Sequence, residues 1–226
     1  MIISAKSAGD AMACIASALI SHEIIEPEGY DVLCRLSREL RLLKDAVAWS
    51  VEVDRGAPIL FRRTTDERNN PVKPRIVAKG IQIEQSDSMT LPFKALDMAL
   101  EVEDETNTPL SRWHLDLANE ANGVVQSGPL THLQFGGHHH DDRRRDHPLK
   151  VPRWCHPPME VALLCEVVAA NFYEEEWLEL RDEPSWCQAI SLYQRLCYRH
   201  YFERMTNSLS ISSSTALNEM WASTYE

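Results

Sequence analysis

Two short segments hold the residues whose types and spacing could do chemistry: Arg112-Trp-His-Leu-Asp-Leu117 and Leu130-Thr-His-Leu-Gln-Phe135. In an extended chain, successive side chains point to opposite faces. Trp113, Leu115 and Leu117 then share one face of the first segment, and Arg112, His114 and Asp116 the other. In the second segment Leu133 and Phe135 oppose His132 and Gln134. If the two strands are neighbours, the apolar faces pack together on helices. The opposite face presents Arg112, His114, Asp116, His132 and Gln134 as one polar patch. Side chains directly opposite one another on paired strands sit about 5 Å apart at Cβ, so two imidazoles and a carboxylate come within mutual reach.

Three readings of that patch are open. Two histidines can serve as general base and general acid, because an imidazole titrates near neutrality. His114 and His132 would exchange protons, Asp116 would orient them, and Arg112 would neutralise charge on a phosphoryl oxygen. That arrangement cleaves RNA through its 2′-hydroxyl with no cofactor. In the second reading His114, Asp116 and His132 are ligands of a divalent metal, zinc, iron or manganese. Its spare positions would go to water or to His138, His139, His140, His147 or His156. In the third, the patch is the wet face of a sheet and the His–Asp pair is only a hydrogen bond.

A polar loop follows: Gly136-Gly-His-His-His-Asp-Asp-Arg-Arg-Arg-Asp-His147. From Arg143 to Arg153 there are five basic residues against one acid, Asp146, in a chain of formal net charge -11. Arginine's planar fork suits phosphate or carboxylate. Arg143, Arg144 and Arg145 are therefore expected to join Arg112 as phosphate binders. Loop 138–153 would grip a nucleic-acid backbone or an acidic protein partner, unless its arginines pair with its own aspartates. A second basic stretch carries Arg62, Arg63, Arg68, Lys73 and Arg75. Cys155 beside His156 invites a thiol-nucleophile reading, but sequence neighbours point apart, and a nucleophile and its base must meet in space. Trp154 is expected instead to anchor the chain while Pro157 and Pro158 set a helix entry. Glu160 and Glu166 interrupt an otherwise apolar helix. They face solvent at its margin, or they are buried and need a partner such as Arg112.

The elements that must position these groups follow from periodicity. Ser7 with Asp10 three residues on fits a helix cap, and Ala8, Met12, Ile15 and Leu19 continue at helical spacing. After Pro27 and Gly29, Leu33, Leu36, Leu40, Leu43 and Val47 line one face of a second helix. Val51 and Val53, then Ile59 and Phe61, alternate around Gly56-Ala-Pro58 as in a hairpin. Residues 64–74 read as loop. Ile76 to Ile83 reads as a strand broken at Gly80, and Leu91 to Asp104 fits a helical turn or a strand. Strands at Ser111–Ala118 and Leu130–Phe135 precede the loop. Met159–Phe172 reads as a core helix and Tyr173–Arg181 as an acidic one. Ser185 with Gln188 opens a last long helix. The expectation is one α+β domain over 1–226: 1–47 helical, 48–136 mainly strands, 137–157 polar loop, 158–226 helical. N-terminal helices precede an antiparallel meander sheet, and C-terminal helices pack on one face.

Composition narrows the function. The chain is 44% hydrophobic and 25% charged, within the globular range. None of its six cysteines makes a C-x-x-C pair, so buried free thiols and a cytoplasmic location are expected. Lys6 alone and Asp10 make the apolar N-terminal run a poor secretory signal. No stretch of about 18 apolar residues exists, so no membrane partner is expected. Glycine-rich phosphate loops and G-x-S-x-G are absent, which excludes ordinary nucleotide hydrolases and α/β-hydrolases. The sequence favours a nucleic-acid-binding or RNA-cleaving protein. The alternatives are a non-enzymatic subunit of a larger complex, using the basic loop and the acidic run Glu174 to Glu179, and a metal-dependent hydrolase.

Overall fold

The computed structural model describes residues 2–86, 91–118, 120–121, 124–137 and 151–222. The element order is α1(Ala5–Ser21), α2(Pro27–Leu42), β1(Ala48–Val53), β2(Ile59–Leu60), β3(Thr64–Thr65), β4(Pro71–Glu84), β5(Phe93–Asp104), β6(Pro109–Leu117), β7(Glu120–Ala121), β8(Val124–Val125), β9(Thr131–Phe135), β10(Trp154–Cys155), α3(Val161–Phe172), α4(Glu174–Leu180), α5(Pro184–Ser208) and α6(Ala216–Glu219). The main sheet is an antiparallel meander in the order β1-β4-β5-β6-β9-β10, with β2 and β3 also on β4. The expected α+β class is the observed one. None of the helices described is long and apolar enough to cross a membrane.

One face of the sheet and the helices α1, α2, α3 and α5 share a core that includes Met12, Leu33, Val51, Ile76, Leu100, Leu115, Leu164 and Tyr193. Each fully buried aliphatic side chain contributes roughly 1.5–3 kcal/mol relative to leaving it in water. The Tyr193 hydroxyl donates to the Ala8 carbonyl at 2.8 Å, so the buried phenol keeps a partner while α5 is tied to α1. A smaller cluster of Leu91, Leu130, Tyr201, Met220 and Ala222 closes one end.

Local physics explains where the elements differ from the sequence reading. Ser4, not Ser7, caps α1: its Oγ accepts from the Ser7 amide at 3.1 Å. The helix starts a turn early because Ala5 and Ala8 are already buried. Likewise α5 begins at Pro184, a residue pre-set for the first helical turn, and Ser185 makes no cap. In α2 the helix ends at Leu42 and turns through Lys44 (φ 52°), so Val47 lies outside it. The segment Leu91–Asp104 is strand where it is regular.

The expected hairpin of Val51 and Val53 with Ile59 and Phe61 does not form. β1, β2 and β3 do not pair with one another; all three run antiparallel to the 14-residue β4. The Asp54 carboxylate accepts from the Gly56 amide at 2.7 Å, and that turn offsets the chain without reversing it. Two true hairpin turns share one chemical solution that the sequence reading missed. Asp66 accepts from the Arg68 and Asn70 amides, and Asp104 from those of Thr106 and Thr108. Asn69 and Asn107 take the positive-φ position in each, at φ 61°. The six cysteines are free, as expected, but only Cys165 and Cys197 are buried and Cys187 is exposed.

Helix α2 crosses β2 at van der Waals contact because Gly29 has no side chain. A Cβ there would lie 2.3 Å from the Leu60 carbonyl oxygen and 2.7 Å from its nitrogen. A Cβ on Gly80 would meet nothing within 4 Å. Gly29→Ala should therefore lower stability by about 1–3 kcal/mol in urea denaturation. Gly80→Ala should change it by less than about 0.5 kcal/mol.

Candidate active site

The outer face of the sheet, away from the helices, is organised in three rows that cross several strands. Register places Arg75, Glu101 and Arg112 in one row, then Val77, Ala99, His114 and Gln134, then Asp97, Asp116, His132 and Cys155. β6 and β9 pair as the alternation in their sequences demands. Trp113 faces Phe135 and Leu115 faces Leu133 on the inner side, while Asp116 faces His132 on the outer.

Asp116 holds the middle of the histidine pair. Its Oδ2 lies 2.9 Å from His114 Nδ1 and 3.7 Å from His132 Nε2. A carboxylate can only accept, so Nδ1 of His114 carries the proton and donates. Its Nε2 is left as a bare lone pair with no protein partner among the described residues. The His114 side chain is 18% exposed and reachable. His132 is different. It is only 3% exposed, and its Nδ1 lies 3.3 Å from the Pro129 carbonyl. Burial pushes its pKa down, against the pull of Asp116, and Arg153 and His114 push the same way as burial. A buried neutral imidazole whose proton is on Nδ1 has none on Nε2 to give Asp116, and His132 does not meet a substrate directly.

The arginines on this face are not idle cations. Glu101 accepts from Arg55, from Arg75 at 2.8 Å and from Arg112 at 3.2 Å. Burial alone would raise the Glu101 carboxyl, but the three guanidinium groups outweigh it and hold it below the usual range. Glu103, which shares Arg75 at 2.7 Å, goes the other way: burial raises it and the Glu101 charge adds to the rise. Three arginines and two carboxylates thus form one paired cluster beside His114, with Asp97 and Asp116 in the outer-face row beyond it. Sequence reading missed Glu101, Arg55 and Arg75 as members of this group. The alternation Met98, Leu100 and Val102 against Ala99, Glu101 and Glu103 was the available signal.

A polar cavity of about 360 Å³ opens on this face over Val77 and Ala99, with Arg55, Lys79 and Arg112 and the acidic residues Glu52, Asp54 and Asp97 on its walls. It exists because the row beside His114 runs through the short side chain of Ala99 and leaves room above the strand. Ala99 and Arg112 are same-face neighbours of His114, one across the ladder and one along the strand.

Other expected residues fall elsewhere. Arg143, Arg144 and Arg145, with His138, His139, His140 and His147, lie outside the described residues. Arg62 pairs with Glu23, away from the patch. Among the described residues no three His, Cys, Asp or Glu side chains are grouped to hold a metal ion, so a divalent-metal site at His114, Asp116 and His132 finds no support there. Cys155 is not paired with His156: its Sγ lies 3.1 Å from the Tyr201 hydroxyl, and His156 Nδ1 lies 2.7 Å from the Pro157 carbonyl. Trp154 is 67% exposed and anchors nothing in the core. No protein-family model, curated protein or solved structure matches the chain.

Glu160 departs most from expectation. It faces neither solvent nor Arg112. It is fully buried at the start of α3, where Oε2 accepts from the Ala162 amide at 2.9 Å and Oε1 has no partner among the described residues. Burial, against the help of the Ala162 and Val161 amides, pushes its pKa to about 7. The folded protein therefore holds a proton that the unfolded chain releases above the ordinary glutamate value of 4.5. Stability falls as pH rises from about that value toward 7, then levels, by about 3 kcal/mol in all. In urea denaturation between pH 5 and 8, Glu160→Gln should gain that much on the wild type. Comparing the two proteins cancels the contributions of His132 and His156.

Proposed function

We propose that the outer sheet face is a proton-transfer site acting on a phosphate ester, with single-stranded RNA as the substrate. The observation that supports this reading most is the His114–Asp116 hydrogen bond at 2.9 Å. It fixes the tautomer whose Nε2 can take a proton, beside a cavity whose walls carry Arg55, Lys79 and Arg112 against Glu52, Asp54 and Asp97. His114 takes the proton of the 2′-hydroxyl as its oxygen bonds to phosphorus; the phosphorus–5′-oxygen bond breaks, the 5′ oxygen takes its proton from water, and Asp116 orients His114 and stabilises the imidazolium that forms. Arg112, held by Glu101, offers positive charge where the phosphoryl oxygens gain negative charge. His132 is buried, lies 3.7 Å from Asp116 and takes no direct part. This revises the two-histidine division of labour, since only His114 is open to substrate among the two. Arg143, Arg144 and Arg145 stay in the proposal as phosphate binders on the strength of sequence alone.

A binding role without catalysis is favoured by a different observation. Helix α4 exposes Glu174, Glu175 and Glu179 together with Leu178, an acidic surface with an apolar residue suited to a basic protein partner. In that case His114 is dispensable.

Cleavage of fluorescently end-labelled single-stranded RNA should be detectable with the wild type. His114→Ala should lower the rate by about 10²–10⁴-fold while circular dichroism is unchanged. Asp116→Asn should lower it less. A wild-type protein that leaves RNA intact, or a His114→Ala variant as active as wild type, removes the reading.

A further inference from the structure

The opposite side of the same strands holds a second concavity, and it is built for a different kind of molecule. A cavity of about 440 Å³ lies between the inner faces of β6 and β9 and helix α3, walled by Trp113, Leu115, Leu133, Leu164 and Val167 with His156. Protein interiors pack at the density of organic crystals, so a space of this size is not a packing defect. It falls within the range of about 300–1,000 Å³ typical of small-molecule sites. None of its walls among the described residues carries an acidic or a Lys or Arg side chain.

Two polar side chains line the cavity: Asn171, which is exposed and donates to the Val167 carbonyl at 2.8 Å, and His156, which is half-buried and supplies the acceptor. Its backbone is locked to β9 on both sides: the amide donates to the Thr131 carbonyl at 3.2 Å, and the carbonyl accepts from Thr131 Oγ1 at 2.6 Å. Its Nδ1 lies 2.7 Å from the Pro157 carbonyl. A carbonyl can only accept, so Nδ1 carries the proton and Nε2 is a bare acceptor. Burial lowers the imidazole's pKa and keeps it neutral. Nε2 has no protein partner among the described residues. A neutral acceptor in an apolar chamber repels a carboxylate, gives nothing to a ketone or an ether, and rewards a hydroxyl.

Entry from solvent is consistent with the neighbouring strands. Trp154, the register partner of the wall residue Leu133, is 67% exposed. Phe135 stacks edge-on against the wall residue Trp113 at 5.4 Å between centroids and is 42% exposed. Apolar side chains thus extend from the cavity wall to the surface.

We propose that this cavity binds a small apolar molecule ending in a hydroxyl group, of the alkylphenol or fatty-alcohol class, with the hydroxyl donating to His156 Nε2 and the hydrocarbon against Trp113, Leu115 and Leu164. The site lies on the opposite face of the sheet from His114 and does not depend on the function assigned there.

The test uses the full chain and 4-hexylphenol. Its methyl ether, 4-hexylanisole, has the same body without the donor, and 4-hexylbenzoate replaces the donor with a charge. Binding is followed by tryptophan fluorescence and by the imidazole ¹⁵N resonances of His156. The expected result is saturable one-to-one binding of the phenol, with a shift of the His156 Nε2 resonance. The ether should bind about tenfold more weakly, the loss of one hydrogen bond, and the benzoate more weakly still. His156→Phe should bring the phenol down to the ether's affinity. The resonance measurement needs no variant, so a poorly folded His156→Phe does not leave the idea untested. No saturable binding of the phenol, equal affinity for the ether, tighter binding of the benzoate, or an unmoved Nε2 resonance would each overturn it.

Discussion

The register in which β6 meets β9 is the constraint on which the rest depends. Asp116 lies opposite His132, and Leu115 opposite Leu133. Side chains alternate with a period of two, so a slip of one residue would turn every one of them over. His114 and Asp116 would enter an apolar core with no partners, and Trp113 and Leu115 would enter water. The cost of both errors together makes the observed register far preferred. It also means that one strand serves two unlike chambers at once, ionic on one side and hydrocarbon on the other.

Much of this was legible where the alternation was clean. Arg112 to Leu117 and Leu130 to Phe135 read correctly as to which side chains share a face, because polar and apolar residues alternate in both; the burial of His132 and the exposure of Phe135 were not legible. The long edge was not legible. Val51, Val53, Ile59 and Phe61 show strand periodicity, yet periodicity does not say which strand is the partner. The answer lay in the length of β4, which offers a ladder to three segments in succession. Glu101 was obscured because Leu91 to Asp104 carries apolar residues on both faces, and Ala99 is buried on the outer one. Glu160 could not be placed either. Its position just before an apolar helix suggests a margin, and only the packing of α3 against α5 shows that the helix start is sealed.

Charge is handled differently in the two regions. On the outer face the carboxylates and guanidinium groups are concentrated until each buried charge has an opposite one at hydrogen-bond distance, as around Glu101. Under α3 a single carboxyl is left with the helix's first amides and no cation, so it keeps its proton. In the first arrangement Glu101 is held ionised by three guanidinium groups, and in the second the carboxyl yields to pH near neutrality. A chain of net charge -11 thus carries a cluster of mutually paired arginines and carboxylates on its outer face and, under α3, a carboxyl whose ionisation is opposed by its own burial.

The interrupted edge has a bearing on how copies of this chain behave in company. A strand at the border of a sheet exposes a row of amides and carbonyls that another chain can extend. Here that border is cut into β1, β2 and β3, with turns at Asp54–Ala57 and beyond Leu60 that set the pieces out of line. At the far border β10 is two residues long and pairs only Trp154 and Cys155. Among the described residues the longest unbroken piece of the first border is β1, six residues long. Cutting the border in this way confines any added strand to short ladders, each out of line with the next.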